Sequence, residues 1–140
     1  MTTLLSRKGL LAIAAVTDVA VYSRGRPVSA KVLAARHALP SRHLEPVLQA
    51  LVREGILKGI RGPHGGYQLA RDRRRITADE ILRAARGMEN PEEAAADSSL
   101  LNNVVVPAVA QAERAFAVAL GRINVEDLAR RAEPFRESVA

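Results

Sequence analysis

The stretch LVREGILKGIRGPHGGYQLARD, Leu51 to Asp72, decides how the rest of the chain is read. It holds two short apolar runs, ILKGI and YQLA, on either side of RGPHGG. Three glycines and a proline within six residues give the chain sharp reversal points, and two strand-like runs joined in this way read as a β-hairpin. The chain order gives neither G-x-x-x-x-G-K-[ST] nor a G-x-G-x-x-G that opens a helix, so the glycines do not form a phosphate loop. The hairpin tip instead leaves Arg61 and His64 beside Gly62 and Gly65, and RDRRR follows the second run.

Working outward, SRHLEPVLQALVREG precedes the hairpin. Leu44, Val47, Leu48, Leu51 and Val52 recur at steps of three and four, which predicts a helix with one buried stripe. Gly55 fits a left-handed stop. Before it, Ser29 can cap a shorter helix, AKVLAARH, with Val32, Leu33 and Ala35 expected inside. ALPS breaks the two helices apart, and the pair forms a helix-turn-helix candidate. Helix, helix and hairpin in this order make a winged helix. The first helix is expected from Ser6 to about Tyr22. From Leu10 to Val16 it is apolar nearly all round, as in a helix packed on several sides. Asp18 interrupts the apolar run that follows RKG, and no segment reaches the ~18–20 apolar residues of a membrane span. No membrane association is expected.

After the hairpin, Thr77 and Glu80 have capping-box spacing ahead of Ile81 and Leu82, and Gly87 ends that helix. ENPEEAAADSS reads as a loop or linker. In LLNNVVVPAVAQAERAFAVALGRI, the residues Val105, Val109, Ala112, Phe116, Ala119 and Ile123 step by four and three, an apolar seam at heptad spacing. Such a seam packs either on its own domain or on a second copy; the small residues and the preceding loop favour the second copy. Pro107 starts or kinks this helix. VEDLARRAEPF gives a last short helix. The fold class is therefore mainly α with a small β-hairpin. A winged helix-turn-helix domain is expected over 1–87, a loop over 88–98, and a dimerisation helix plus short helix over 99–140.

Composition narrows the function. The chain has 140 residues, 48% of them hydrophobic, with two Phe, two Tyr and no Trp or Cys. The core must be aliphatic. Disulfides, thiolate chemistry and cysteine-ligated metal are excluded, which fits a cytoplasmic location. Residues 1–76 hold 14 Lys/Arg against 4 Asp/Glu, and residues 77–140 hold 7 against 11, within a net charge of +6. A basic half joined to an acidic one is the asymmetry expected when only the first meets a polyanion. Arg7, Lys8, Lys58, Arg73 and Arg74 are candidate phosphate contacts. His37, His43 and His64 lack metal-ligand spacing, so no metal or other cofactor is expected. No nucleophile–base pair points to an enzyme.

These residues resemble the Rrf-two family of bacterial winged-helix transcription regulators. The resemblance runs from about Leu5 to Phe135 and is most specific in the R-G-P-x-G-G-Y wing. LEPVLQAL before the wing, ITADEILRA after it and SRKGLLAIAAVTDVA near the start add to it. It implies a homodimer formed through the long C-terminal helix, bound to a palindromic operator in double-stranded DNA, with repression the expected sign. It also implies that a recognition helix bearing Ser41, Arg42, His43 and Glu45 enters the major groove, while Arg61 enters the minor groove. A glutamate there can accept from a cytosine amino group. Pro46 departs from the pattern and removes a backbone donor inside the recognition helix. A second departure is the loop GMENPEEAAADSSLLNN, where many members carry three cluster-binding cysteines and this chain has none. A winged-helix module that binds proteins and has lost specific DNA binding is the alternative. Operator, target genes and effector are not legible.

Overall fold

In the computed structural model, residues 7–86, 103–104 and 106–135 are described. The chain order is α1 (Arg7–Tyr22), α2 (Ala30–Arg36), α3 (Ser41–Arg53), β1 (Leu57–Ile60), β2 (Gly66–Leu69), α4 (Ala78–Arg86), α5 (Val106–Leu120) and α6 (Val125–Ala132). Short 3₁₀ turns follow β2 at Arg73–Arg75 and α6 at Glu133–Phe135. The loop expected at 88–98 lies outside the described residues.

The central element is α1. It packs against α3, α4, β2 and α6, and Ala12, Ala15, Val16 and Val19 are fully buried. An apolar run without a polar face is stable in water only when neighbours cover it on several sides. Leu10, at 50% exposed, marks where that cover ends.

The sequence punctuation sets the other boundaries. Ser29 accepts a hydrogen bond from the Val32 amide at 3.1 Å and starts α2. Thr77 accepts from the Glu80 amide at 3.2 Å and starts α4. Each cap satisfies one of the donors that a helix start leaves without a partner. Gly55 has φ +75° after α3 and turns the chain into β1. β1 and β2 pair antiparallel, with Lys58 opposite Gln68 and Gly59 opposite Tyr67. The hairpin is tied back to the helices by mutual backbone hydrogen bonds between Val28 and Tyr67, at 2.8 and 2.9 Å.

Three expectations are corrected. α2 is rotated from the expected face, so Leu33 and Ala34 are buried while Val32 and Ala35 are exposed. With only seven residues, the helix buries a patch set by how it meets α1 and α3, and periodicity over two turns does not define that patch. Val52 closes the stripe of α3 at 37% exposed, because the core ends at Leu51. The division of the chain near residue 87 does not divide the core. Val125 and Ala129 of α6 lie in the same buried cluster as Val16, Leu44 and Leu48. Backbone hydrogen bonds from Ala78 to Ile123 and from Val125 to Ile76, both 2.9 Å, stitch the start of α4 to the α5–α6 turn.

The core holds one buried charged residue among those described, Asp18. Its carboxylate accepts from Arg36 Nε at 2.9 Å and Nη2 at 2.7 Å, and His37 Nε2 lies 3.2 Å away. The imidazole contact is close but poorly angled for a hydrogen bond. The Arg36 guanidinium also stacks 3.8 Å from the centre of the Tyr22 ring. A two-pronged guanidinium–carboxylate pair fixes direction as well as distance. It thus fixes the end of α2, and with it the turn that leads into α3.

Candidate nucleic-acid interface

α3 has two distinct faces. Leu44, Val47, Leu48, Ala50 and Leu51 are buried. Arg42, His43, Glu45, Pro46, Gln49 and Arg53 are exposed. The same 3.6-residue period generates both, so the buried stripe clamps the helix and thereby aims the outer one. Ser41 is half-buried at the first helical position, after Pro40. Pro46 does not break the helix, which continues to Arg53. The cost is local: the Arg42 carbonyl has no amide proton four residues on.

The wing has two kinds of glycine. Gly62, with φ +115°, stands in open space and lets the tip reverse. A Cβ on Gly65 would collide with the carbonyl of Ile60, and one on Gly66 with the backbone of Val28. Those two glycines are required by close packing within the chain, and the exposed tip is Arg61, Gly62, Pro63 and His64. Ser29 and Ala30 at the start of α2 share a groove of about 480 Å³ with Gly59, Arg61, Gly62 and Tyr67. Wing and helix-turn-helix are therefore joined on one surface.

The remaining basic candidates separate. Lys8 and Lys58 are exposed; the side chain of Arg7 lies outside those described. Arg74 is 75% exposed, with Nε 3.5 Å from Asp72. Asp72 accepts from the Arg74 amide. That hydrogen bond is the main reason its carboxyl lies below the usual carboxylate value; desolvation opposes it, and the Arg74 charge adds a smaller lowering. Arg73 does not stand with these cations. Its Nε lies 2.8 Å from Glu126, off the hydrogen-bonding angle, and its Nη1 donates to the Ala20 carbonyl at 3.3 Å. Arg73, expected as a phosphate contact, is instead engaged within the chain here and links the turn after β2 to α1 and α6. Arg71 pairs with Glu80, and Arg83 with Asp79.

The expected seam on α5 also divides. Phe116 and Ile123 pack onto Ala78, Leu82 and Leu120, together with Ile13 of α1. They face the chain's own domain, against the expectation of a seam between copies. Ala112 and Ala119 are exposed. Val105 and the side chain of Val109 lie outside the described residues. Gln49, which the sequence analysis did not single out, also occupies the outer face of α3, one turn beyond Glu45. The signal available was the complement of the apolar stripe.

A three-helix bundle closed by a two-stranded wing, with a polar and basic outer face on the helix before the wing, defines a winged helix-turn-helix protein. The family profile described as "Rrf2: Iron-dependent Transcriptional regulator" matches residues 5–131, and the chain belongs to that family. IscR of Xenorhabdus nematophila, an HTH-type transcriptional regulator, is 36% identical over 80 residues, 57% of this chain and 49% of its own length. A Synechocystis sp. protein, named as an HTH-type transcriptional regulator, is 34% identical over 126 residues, 89% of this chain and 86% of its own. The chain thus spans about half the length of the IscR relative and most of the Synechocystis one. Among solved structures, T. potens IscR superposes with a TM-score of 0.73 at 29% identity, covering 97% of this chain and 93% of its own. CymR, the global cysteine regulator of B. subtilis, gives 0.71 at 28%, covering 94% and 98%.

The family description implies iron. This chain has no cysteine, and among the described residues no three His, Asp or Glu side chains converge. The donor set present does not fit a thiolate-held iron–sulfur centre. No helix among the described residues is long and apolar enough to cross a membrane.

Proposed function

We propose that the chain regulates transcription as a homodimer on a two-fold DNA operator, with α3 in the major groove and the Arg61 wing in the minor groove, and that it represses. The observation that carries this reading is α3 itself, whose inner stripe is locked in the core while Arg42, His43, Glu45 and Arg53 are all exposed. A major groove about 12 Å wide admits such a helix. Arg61, a planar and weakly hydrated cation beside a glycine, suits a narrow, strongly negative minor groove. Lys8, Lys58 and Arg74 supply sequence-independent phosphate attraction. Arg73 does so only if its pair with Glu126 opens.

The contact between copies uses the exposed side of α5. Ala108, Ala112, Ala115 and Ala119 step by four and three along it, beside Val118 at 59% exposed. Small residues allow two helices to approach closely. Ala115→Glu should therefore give a folded monomer that has lost operator binding, since one winged helix makes half the contacts. Phe116→Glu should unfold the domain instead, by placing a charge against Leu82 and Ile13. Sedimentation of the wild type as a monomer at micromolar concentration would rule out the dimer. Gel shifts with genomic fragments near the gene test DNA binding. Failure to retain any fragment would favour the protein-binding module. A reporter driven from a retained fragment gives the sign of regulation.

A further inference from the structure

The exposed positions of α3 are 42, 43, 45, 46, 49, 52 and 53. Between Arg42 and Glu45 at one end and Arg53 at the other lie two exposed residues, Pro46 and Gln49, outside the buried stripe. Pro46 is exposed and is not part of the buried core cluster. A proline inside a helix removes a hydrogen bond and crowds the preceding turn, so it is a costly choice at a position where any good helix former would fit. Gln49 is exposed, and its amide makes no hydrogen bond among the described residues. The two stand three residues apart on one face, about 4.5 Å along the helix axis. That is between one and two base-pair steps of about 3.4 Å.

We propose that Gln49 and Pro46 are specificity-determining residues of the recognition helix and read an A·T-containing step. This rests on the DNA-binding reading above. The Gln49 side chain offers one donor and one acceptor in a plane, which matches the N7 acceptor and N6 donor of adenine. The Pro46 ring has no proton to donate, and its exposed carbons offer only apolar contact. In the major groove the apolar partner is the C5 methyl of thymine. Proline is stiff, so it makes that contact without loss of rotamer freedom. Glu45 next to it is left to accept from cytosine. The outer stripe from Arg42 to Gln49 is about 10 Å long and thus covers roughly three base pairs.

Selection of full-length protein on random duplexes tests this directly. The wild type should enrich a half-site holding an adenine, with a thymine within two base pairs. Gln49→Ala should lose the preference for that adenine by about 5- to 150-fold while the rest of the motif persists. Gln49→Glu should move the preference at that position toward cytosine. Replacing the thymine by deoxyuridine removes only the methyl group. That change should weaken the wild type about fourfold and leave Pro46→Ala unaffected. Gln49→Ala and Pro46→Ala should melt at or above the wild-type temperature, which separates base reading from misfolding. An unchanged adenine preference in Gln49→Ala overturns the Gln49 assignment, and retained uracil sensitivity in Pro46→Ala overturns that of Pro46. If the wild type enriches no motif at all, the DNA-binding reading fails and this inference fails with it.

Discussion

The cations of this small domain fall into two populations that the sequence does not distinguish. Arg36, Arg71, Arg73 and Arg83 each face a carboxylate: Asp18, Glu80, Glu126 and Asp79. Arg42, Arg53, Lys58 and Arg61 are exposed and carry no ion pair among the described residues. Three of the first group tie separate segments together, and Arg83–Asp79 braces α4 along its own length. The second lies on α3 and on the wing. Arginine count alone therefore overstates the surface that can meet a polyanion. Substituting one member of each group should give opposite signatures: lost stability from the first, lost binding from the second.

The largest effect is expected at the most buried pair. Asp18 is the acceptor for both prongs of Arg36, and its side chain is 5% exposed against 19% for the arginine. Asp18→Ala leaves a guanidinium facing a nearly dry site and should cost about 3 kcal/mol, the low end for breaking a buried pair, because Arg36 keeps partial access to water. Urea denaturation measures this. A loss below about 0.5 kcal/mol would mean that Arg36 simply swings out, and that the pair does not fix α2.

Next comes the outward group. Arg61→Ala should weaken specific binding by about 1–3 kcal/mol, most for operators with A·T pairs under the wing, and leave the melting temperature unchanged. Arg61→Lys should recover part of the loss, since the charge remains while the flat fork is gone. Arg86→Ala, on α4, serves as the control and should matter far less. Overlaid binding curves for wild type and Arg61→Ala would reduce the wing to a structural hairpin.

Smaller still is the effect at Arg73. It and Glu126 are each about one-third exposed, so water screens the pair and its worth is discounted accordingly. With the hydrogen bond to Ala20 included, Arg73→Ala should lower stability by about 1 kcal/mol and change operator affinity little. A variant that keeps its stability but loses affinity would move Arg73 into the outward group and undo the division drawn above.

What was legible in the sequence follows the reach of each interaction. The period of α3, the Thr77 cap, the Ser29 cap and the Gly55 stop are local signals, decided by residues within a turn or two of one another. The wing is equally local, and so is the reason for Gly65, which meets the Ile60 carbonyl; the reason for Gly66 is not, because Val28 lies against it. The Asp18–Arg36 and Arg73–Glu126 pairs join residues 18 and 53 positions apart, and no periodicity announces such a partner. A lone carboxylate in an apolar helix was the one trace that the first of them left. On α5 the obstacle was different. Its apolar residues lie on both sides, so heptad counting found a seam without telling whether Phe116 faces its own domain or a second copy.

The smallest effect distinguishes the two populations at their border. Arg74 belongs fully to neither: three-quarters of its side chain is exposed, yet its Nε stays 3.5 Å from Asp72. If the dimer neutralises roughly 6–8 phosphates, log affinity should fall against log salt with a slope of about −5 to −7. Arg74→Ala should flatten that slope by up to about 1.8, one phosphate in each subunit, without altering the preferred sequence, because a phosphate contact carries no base information. The Asp72 carboxylate competes for the same guanidinium, so a change smaller than this limit means that Arg74 divides its time between the two. Asp72→Asn should then steepen the slope of the otherwise wild-type protein by releasing it. A slope unmoved by both substitutions would place Arg74 with the inward group, and would leave Lys8, Lys58 and the cations of α3 to carry the phosphate attraction.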